Sequence, residues 1–172
     1  MYDPAKREIK LTSLEGKRFK NLGDIGESIA MKVLLYNQFQ NIVDLNEVKA
    51  NFPFADYSAK RDGKKYLISV KTRNKYERSG RINSRYKLGA KVYEHIESLL
   101  ASDEWSDYIP AWLAISIEPK CFDAYFGLIE QLNGGRGINM SDKAKRNYEA
   151  LALNNQHEHD FSDFGNVYEK KC

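Results

Sequence analysis

The sequence predicts a mixed α/β domain, a central sheet flanked by helices, in the order helix, three strands, helix, two strands, helix. Three observations lead there. An amphipathic helical stretch is followed by short strand-like segments joined through an Asp-Gly turn. A second helical stretch then precedes two near-continuous apolar runs of strand length. Runs of that last kind belong to strands covered on both faces, which places helices on either side of the sheet.

Each element has its own local reason. In NLGDIGESIAMKVLLYNQF, residues 21 to 39, Ile25, Ile29, Val33 and Tyr36 recur at helical spacing. Ala30, Met31 and Leu34 widen the apolar arc. Residues 41 to 45 are a short strand candidate, and 54 to 59 alternate as a second strand. Asp62-Gly63 supplies hairpin chemistry, so 66 to 73 is the return strand. Residues 88 to 102 predict a helix with Val92, Ile96, Leu99 and Leu100 on one face. PAWLAISI (110 to 117) and AYFGLIEQL (124 to 132) are the two buried strands. A closing helix is expected over 141 to 153, with Ser141 as its N-cap. The chain thus divides into a lead-in (1 to 20), one domain (21 to 155) and a polar tail (156 to 172).

Composition excludes several classes. No stretch approaches the roughly 20 apolar residues of a membrane helix. The N-terminal residues carry charge without the apolar core of a secretory signal. Two cysteines, Cys121 and Cys172, make no disulfide framework, and the cytoplasm is the expected compartment.

Charge is unevenly spread. Between Lys71 and Lys91 stand eight cations against Glu77 alone, a local +7 in a chain whose net charge is +3, leaving −4 elsewhere. One basic segment on an otherwise acidic protein is the footprint of a polyanion. Tyr76 and Tyr86 interleave with the cations and offer stacking surfaces or hydroxyls beside phosphate contacts. The alternative is a solvated loop.

On the return strand, Tyr66, Ile68, Val70 and Thr72 share one face, and Leu67, Ser69, Lys71 and Arg73 the other. Asp56, taken with Phe54 and Ser58 on one face of the preceding strand, nears the Ser69–Lys71 edge if the register allows. Glu27 has two readings. Asp24 and Glu27 have capping-box spacing, but Glu27 also falls in line with Ala30, Met31 and Leu34. Gly23 and Gly26 permit close approach there. Two carboxylates hold a divalent cation, and a lysine beside them orients a water or stabilises a phosphoryl group. A lysine facing inward is explained if its partners are inside.

These residues resemble the PD-(D/E)xK nuclease superfamily, through GDIGE at 23 to 27, PFAD at 53 to 56 and SVK at 69 to 71. The resemblance spans roughly 20 to 132 and rests on order and spacing. It implies a restriction-endonuclease-like core and a Mg²⁺-dependent DNA endonuclease, with Mn²⁺ able to substitute. Asp56 would be a metal ligand, Lys71 the catalytic lysine, Glu27 the helix glutamate that binds metal or its waters, and the Val70 carbonyl a further ligand. Ser69 stands where the family carries an acid. Either the acid is displaced to Glu94, Glu97 or Glu77, with Glu94 nearest the helix start, or the activity is weakened. Arg73, Lys75, Arg78, Arg81, Arg85, Lys87 and Lys91 would track the DNA backbone, and cutting both strands implies a homodimer. Restriction, phage or mobile-element processing and branched-DNA resolution all suit such an enzyme. The competing classes are a non-cutting nucleic-acid-binding module and an RNA nuclease.

Other motifs carry less. Asn133–Gly137 lacks the ending of a P-loop and suits a turn, with Arg136 as an optional backbone contact. His157 and His159 sit in a polar tail, His95 is expected at the surface, and Trp105 and Trp112 as packing.

Overall fold

The computed structural model describes residues 22–151 and 153. The expected lead-in and the whole polar tail, with its two histidines, lie outside them. Helix α1 (Leu22–Tyr36) buries Ile25, Ile29, Ala30, Val33 and Leu34, the arc its spacing predicts. Asp24 lies inside its first turn, so the capping box expected of Asp24 and Glu27 is not formed.

Strand β1 (Gln40–Asp44) stops where the Asp44 carboxylate accepts the Asn46 N–H at 2.9 Å. That contact opens the single turn α2 (Leu45–Val48). The hairpin β2 (Tyr57–Arg61) and β3 (Lys64–Asn74) closes through Asp62 and Gly63, at φ 51° and 74°. Positive φ at both central residues is the type I′ turn that Asp-Gly favours. β2 begins later than expected. Phe54 has φ 63°, a left-handed conformation that no strand admits, so Asp56 precedes the strand instead of standing within it.

The basic segment forms more structure than its sequence predicts. It contributes β4 (Arg85–Lys87), which pairs with β7 (Gly137–Asn139) as a separate two-stranded sheet. Helix α3 (Val92–Leu100) follows, then β5 (Ile109–Ile117) and β6 (Phe122–Leu128). The second apolar run ends as a strand at Leu128. Residues Ile129–Leu132 turn as a 3₁₀ helix, stopped by Asn133 in the left-handed region at φ 51°.

The expected closing helix is the largest departure. Ser141 does cap it, accepting the Ala144 N–H at 3.3 Å, but α4 (Asp142–Lys145) makes one turn only. Residues Glu149–Leu151 then form β8 against β6, pairing Leu151 with Ala124 and Glu149 with Phe126. An open β6 edge has unpaired backbone groups that a helix cannot satisfy. Arg61 adds a fork to the Glu149 carboxylate, at 2.9 and 2.6 Å.

The main sheet has the order β1-β2-β3-β5-β6-β8. β3 and β5 are parallel and the other pairs antiparallel, so the sheet is mixed, as the sequence predicts. α1 packs Ile25, Ile29 and Val33 against Ile68, Leu113 and Ile115 on one face. On the other, Val92 and Ile96 of α3 meet Trp112 and Ala114, with Tyr86 and Ile138 of the small sheet closing the layer. Among the described residues no helix is long and apolar enough to cross a membrane.

Candidate functional site

The edge of β3 beyond its pairing with β2 is where the polar residues meet. Ladder pairing ends at Tyr57 and Ile68, leaving Val70 without a strand partner on that side. Asp56 takes the place of the missing strand. Its N–H donates to the Ile68 carbonyl at 2.9 Å, and its Oδ2 accepts the Val70 N–H at 2.7 Å. The N–H and C=O of one strand residue leave by the same edge. The Val70 carbonyl therefore faces the side on which Asp56 sits.

Asp56 is held from behind as well. Its carbonyl accepts the Leu45 N–H at 2.9 Å, and Oδ1 receives Asn46 Nδ2 at 3.3 Å. Burial pushes its carboxyl above the ordinary range. The Val70 N–H, the Lys71 charge and Asn46 pull in the other direction without cancelling that rise.

Glu27 arrives from α1. The helix lies so close to β3 that a Cβ built on Gly26 would sit 1.6 Å from Thr72 Oγ1. The Tyr57 hydroxyl donates to the Glu27 carbonyl at 3.0 Å, tying this turn to β2. Burial raises the Glu27 carboxyl, and the charges of Asp56, Asp44 and Asp24 add to the effect. Two carboxyls each raised, one by the charge of the other, form a site whose electrostatics a cation would relieve.

Lys71 completes the group. Glu27, Asp56 and Lys71 line one cleft of about 680 Å³, together with Asn46, the loop 50–54, Leu88, Val92 and His95. The half-buried Lys71 lines the same cleft and its charge acts on Asp56, which gives a lysine on the Leu67–Ser69 face of the strand a partner.

Other expected residues lie elsewhere. Ser69 is 1 % exposed and outside the cleft lining. Glu94 is exposed on α3 between Val92 and His95, which do line the cleft, while Glu94 does not. Glu97 and Glu77 are also exposed and outside the lining. Among the described residues no three His, Cys, Asp or Glu side chains gather as a preformed metal cage.

The basic segment divides in two. Arg73, Arg78, Arg81, Arg85, Lys87 and Lys91 are exposed. Arg78 and Arg81 flank the tip of a loop closed by the Tyr76–Ile82 bridge and by Asn83 N–H to the Lys75 carbonyl at 2.8 Å. Lys75 is not available to a backbone. Its ammonium is 3.2 Å from Asp123 and 3.5 Å from Glu118. Burial presses it toward neutrality, but the two carboxylates outweigh that and hold its proton. Tyr76 and Tyr86 are buried at 9 % and 0 % exposure, and the Tyr86 hydroxyl is 2.8 Å from Ser116 Oγ. Neither ring is free to stack, contrary to the expectation from their spacing among cations.

Sequence reasoning missed Asn46 and the loop 50–54 as lining residues, and His95 as well. His95 had one signal, its position three residues beyond Val92 on the same helical face. Phe52 and Phe54 had none beyond adjacency to Asp56. Comparison of the chain with family models, curated proteins and solved structures finds no match.

Proposed function

We propose that the chain is a hydrolase directed at nucleic acid, and more narrowly a Mg²⁺-dependent DNA endonuclease on a restriction-endonuclease-like core. The observation that carries this reading is that Glu27 of α1, Asp56 before β2 and Lys71 of β3 line one cleft. Mg²⁺ is commonly held by one or two carboxylates, with water and substrate phosphate filling the remaining positions. Glu27 and Asp56 are such a pair, and the Val70 carbonyl, on the Asp56 side of β3 but outside the cleft lining, would be the further oxygen; Mn²⁺ accepts the same ligands. A cation bound there would lower the pKa of a coordinated water and offset charge on the phosphoryl group.

The chain's own groups have separable tasks. Both Asp56 oxygens accept a hydrogen bond, Oδ2 from the Val70 N–H and Oδ1 from Asn46 Nδ2, so a ligand or water would use their remaining lone pairs. Glu27 would hold the cation or orient the waters on it. The Lys71 ammonium donates to the phosphoryl oxygen on which negative charge develops. Arg73, Lys87 and Lys91 extend positive charge along the elements that border the cleft and hold the phosphate backbone. Two such sites, in a homodimer, would be needed to cut both strands of a duplex.

Supercoiled plasmid incubated with Mg²⁺ or with chelator tests this directly. Metal-dependent nicking is expected, lost in Asp56→Ala and Lys71→Ala. Nicking that persists in either variant would belong to a contaminant. A second reading is supported by Ser69, buried where the resembled family has an acid, and by the absence of Glu94 from the cleft lining. Under it the chain binds DNA without cutting, and salt-sensitive binding would survive in the absence of any nicking.

A further inference from the structure

We infer that the cleft receives an unpaired nucleotide, so that its substrate is DNA with a single-stranded or displaced base beside the scissile phosphate. This rests on the nucleic-acid reading of the cleft and goes beyond it to the class of substrate. The argument begins with a mismatch of surfaces. The Asp56 and Lys71 end of the cleft suits a phosphate, but Phe52, Pro53, Phe54, Leu88 and Val92 also line it. An intact duplex turns phosphates and sugars outward and hides its base faces in the stack. Such a duplex has nothing to lay against an aromatic wall. An unpaired nucleotide has both parts, a phosphate for Lys71 and a π-face for the rings.

The aromatic wall is also built at a cost. The Ala55 N–H donates to the Pro53 carbonyl at 2.7 Å around Phe54, whose φ is 63°. That is a three-residue turn of the rare, strained kind, and a bulky side chain at positive φ adds to the strain. Residues held this way cluster at ligand sites, where the surrounding structure over-determines them. Phe54 is partly buried, packed against the apolar cluster of Val92 and Trp112 on one side and that of Leu45 and Leu67 on the other, and it lines the cleft two residues before Asp56. Phe52 is braced edge-on against Trp105, with centroids 5.6 Å apart. Charge is complementary to this occupant, as to any nucleic-acid backbone. Arg73, Lys87 and Lys91 are exposed beside the cleft elements and can hold the continuing backbone.

The test separates binding from cutting. Fluorescence anisotropy in chelator, with the full chain, compares a perfect duplex with the same duplex carrying a short unpaired bubble or flap. The unpaired substrates are expected to bind more tightly. Phe54→Leu should remove that preference, weakening them by about 5- to 150-fold, the range of one lost base–aromatic stack. Phe54→Tyr keeps a π-face and should retain it. Circular dichroism confirms that each variant is folded, and if Phe54→Leu is not, Phe52→Leu takes its place. Equal affinity for paired and unpaired DNA, or a preference that survives both leucine variants, overturns the inference. Nicking of perfect duplex without such a preference would leave the nuclease reading standing alone. The preference without any nicking would leave the inference standing alone.

Discussion

Gly26→Ala tests the contact that seats Glu27. Two effects oppose each other. Replacing a mid-helix glycine by alanine favours the helix by about 1 kcal/mol. The new methyl, however, would fall 1.6 Å from Thr72 Oγ1, 2.6 Å from Thr72 Cβ and 3.0 Å from Thr72 Cγ2. Rotating Thr72 moves its γ atoms but not its Cβ, so no rotamer relieves the overlap. Helix and strand must part instead. Overpacking of a buried contact costs about 1–3 kcal/mol and occasionally more, and this overlap lies at the upper end. The net expectation is a loss of about 2 kcal/mol, since about 3 outweighs about 1. For a chain of this size that lowers Tm by about 4–8 °C. Because α1 carries Glu27, metal-dependent nicking should fall by more than the unfolded fraction explains. Urea titration followed by circular dichroism, with nicking measured at saturating Mg²⁺, checks both parts. A variant as stable as the parent would refute the close approach of α1 to β3. A destabilised variant that nicks at the parent rate would refute the dependence of Glu27 on it.

Four further expectations concern the site and its surroundings. Asp56→Asn keeps an oxygen for the Val70 N–H and should leave stability within about 1 kcal/mol, whereas Asp56→Ala orphans that donor at a cost of about 1–3 kcal/mol; both should abolish nicking. Burial, aided by the charges of Asp56, Asp44 and Asp24 at Glu27 and of Asp44 at Asp56, raises the Glu27 and Asp56 carboxyls above their ordinary 4.5 and 3.8, so the folded state binds their protons more tightly than the unfolded one. Their contribution to stability is therefore greatest at low pH and falls as pH rises through the ordinary values toward the folded ones. Mg²⁺ should recover that loss at neutral pH, and a urea midpoint that ignores Mg²⁺ in the parent, or responds equally in a Glu27→Gln, Asp56→Asn double variant, would count against a shared cation site. Lys75→Met should destabilise by about 2 kcal/mol, by leaving Asp123 and Glu118 facing each other, with DNA affinity intact. Arg78→Ala with Arg81→Ala should do the reverse, sparing stability within about 0.5 kcal/mol while weakening binding and flattening its salt dependence; anisotropy across a salt series distinguishes them.

What the sequence determined by itself was whatever depends on neighbours along the chain. The buried arc of α1, the Asp62-Gly63 turn, the face of α3 and the Ser141 cap all follow from spacing within a few residues. The order of Glu27, Asp56 and Lys71 was legible for the same reason, since it needed only their elements and not their distances. Tertiary structure decided everything that turned on a competing partner. Residues 149–151 carry a helical pattern but pair with β6, because an open strand edge gains more from backbone hydrogen bonds than a short polar helix gains from propensity. Lys75 looks like its basic neighbours but is claimed by two carboxylates more than 40 residues away in sequence. Tyr76 and Tyr86 read as surface rings until a small second sheet buries one and a bridged loop the other. Phe54, in a segment that alternates like a strand, is turned left-handed, and that turn sets both Asp56 and the aromatic wall where they meet Lys71. Local pattern specifies which face of an element is apolar. Which distant group meets it is settled by packing, whose partners lie too far along the chain for periodicity to see.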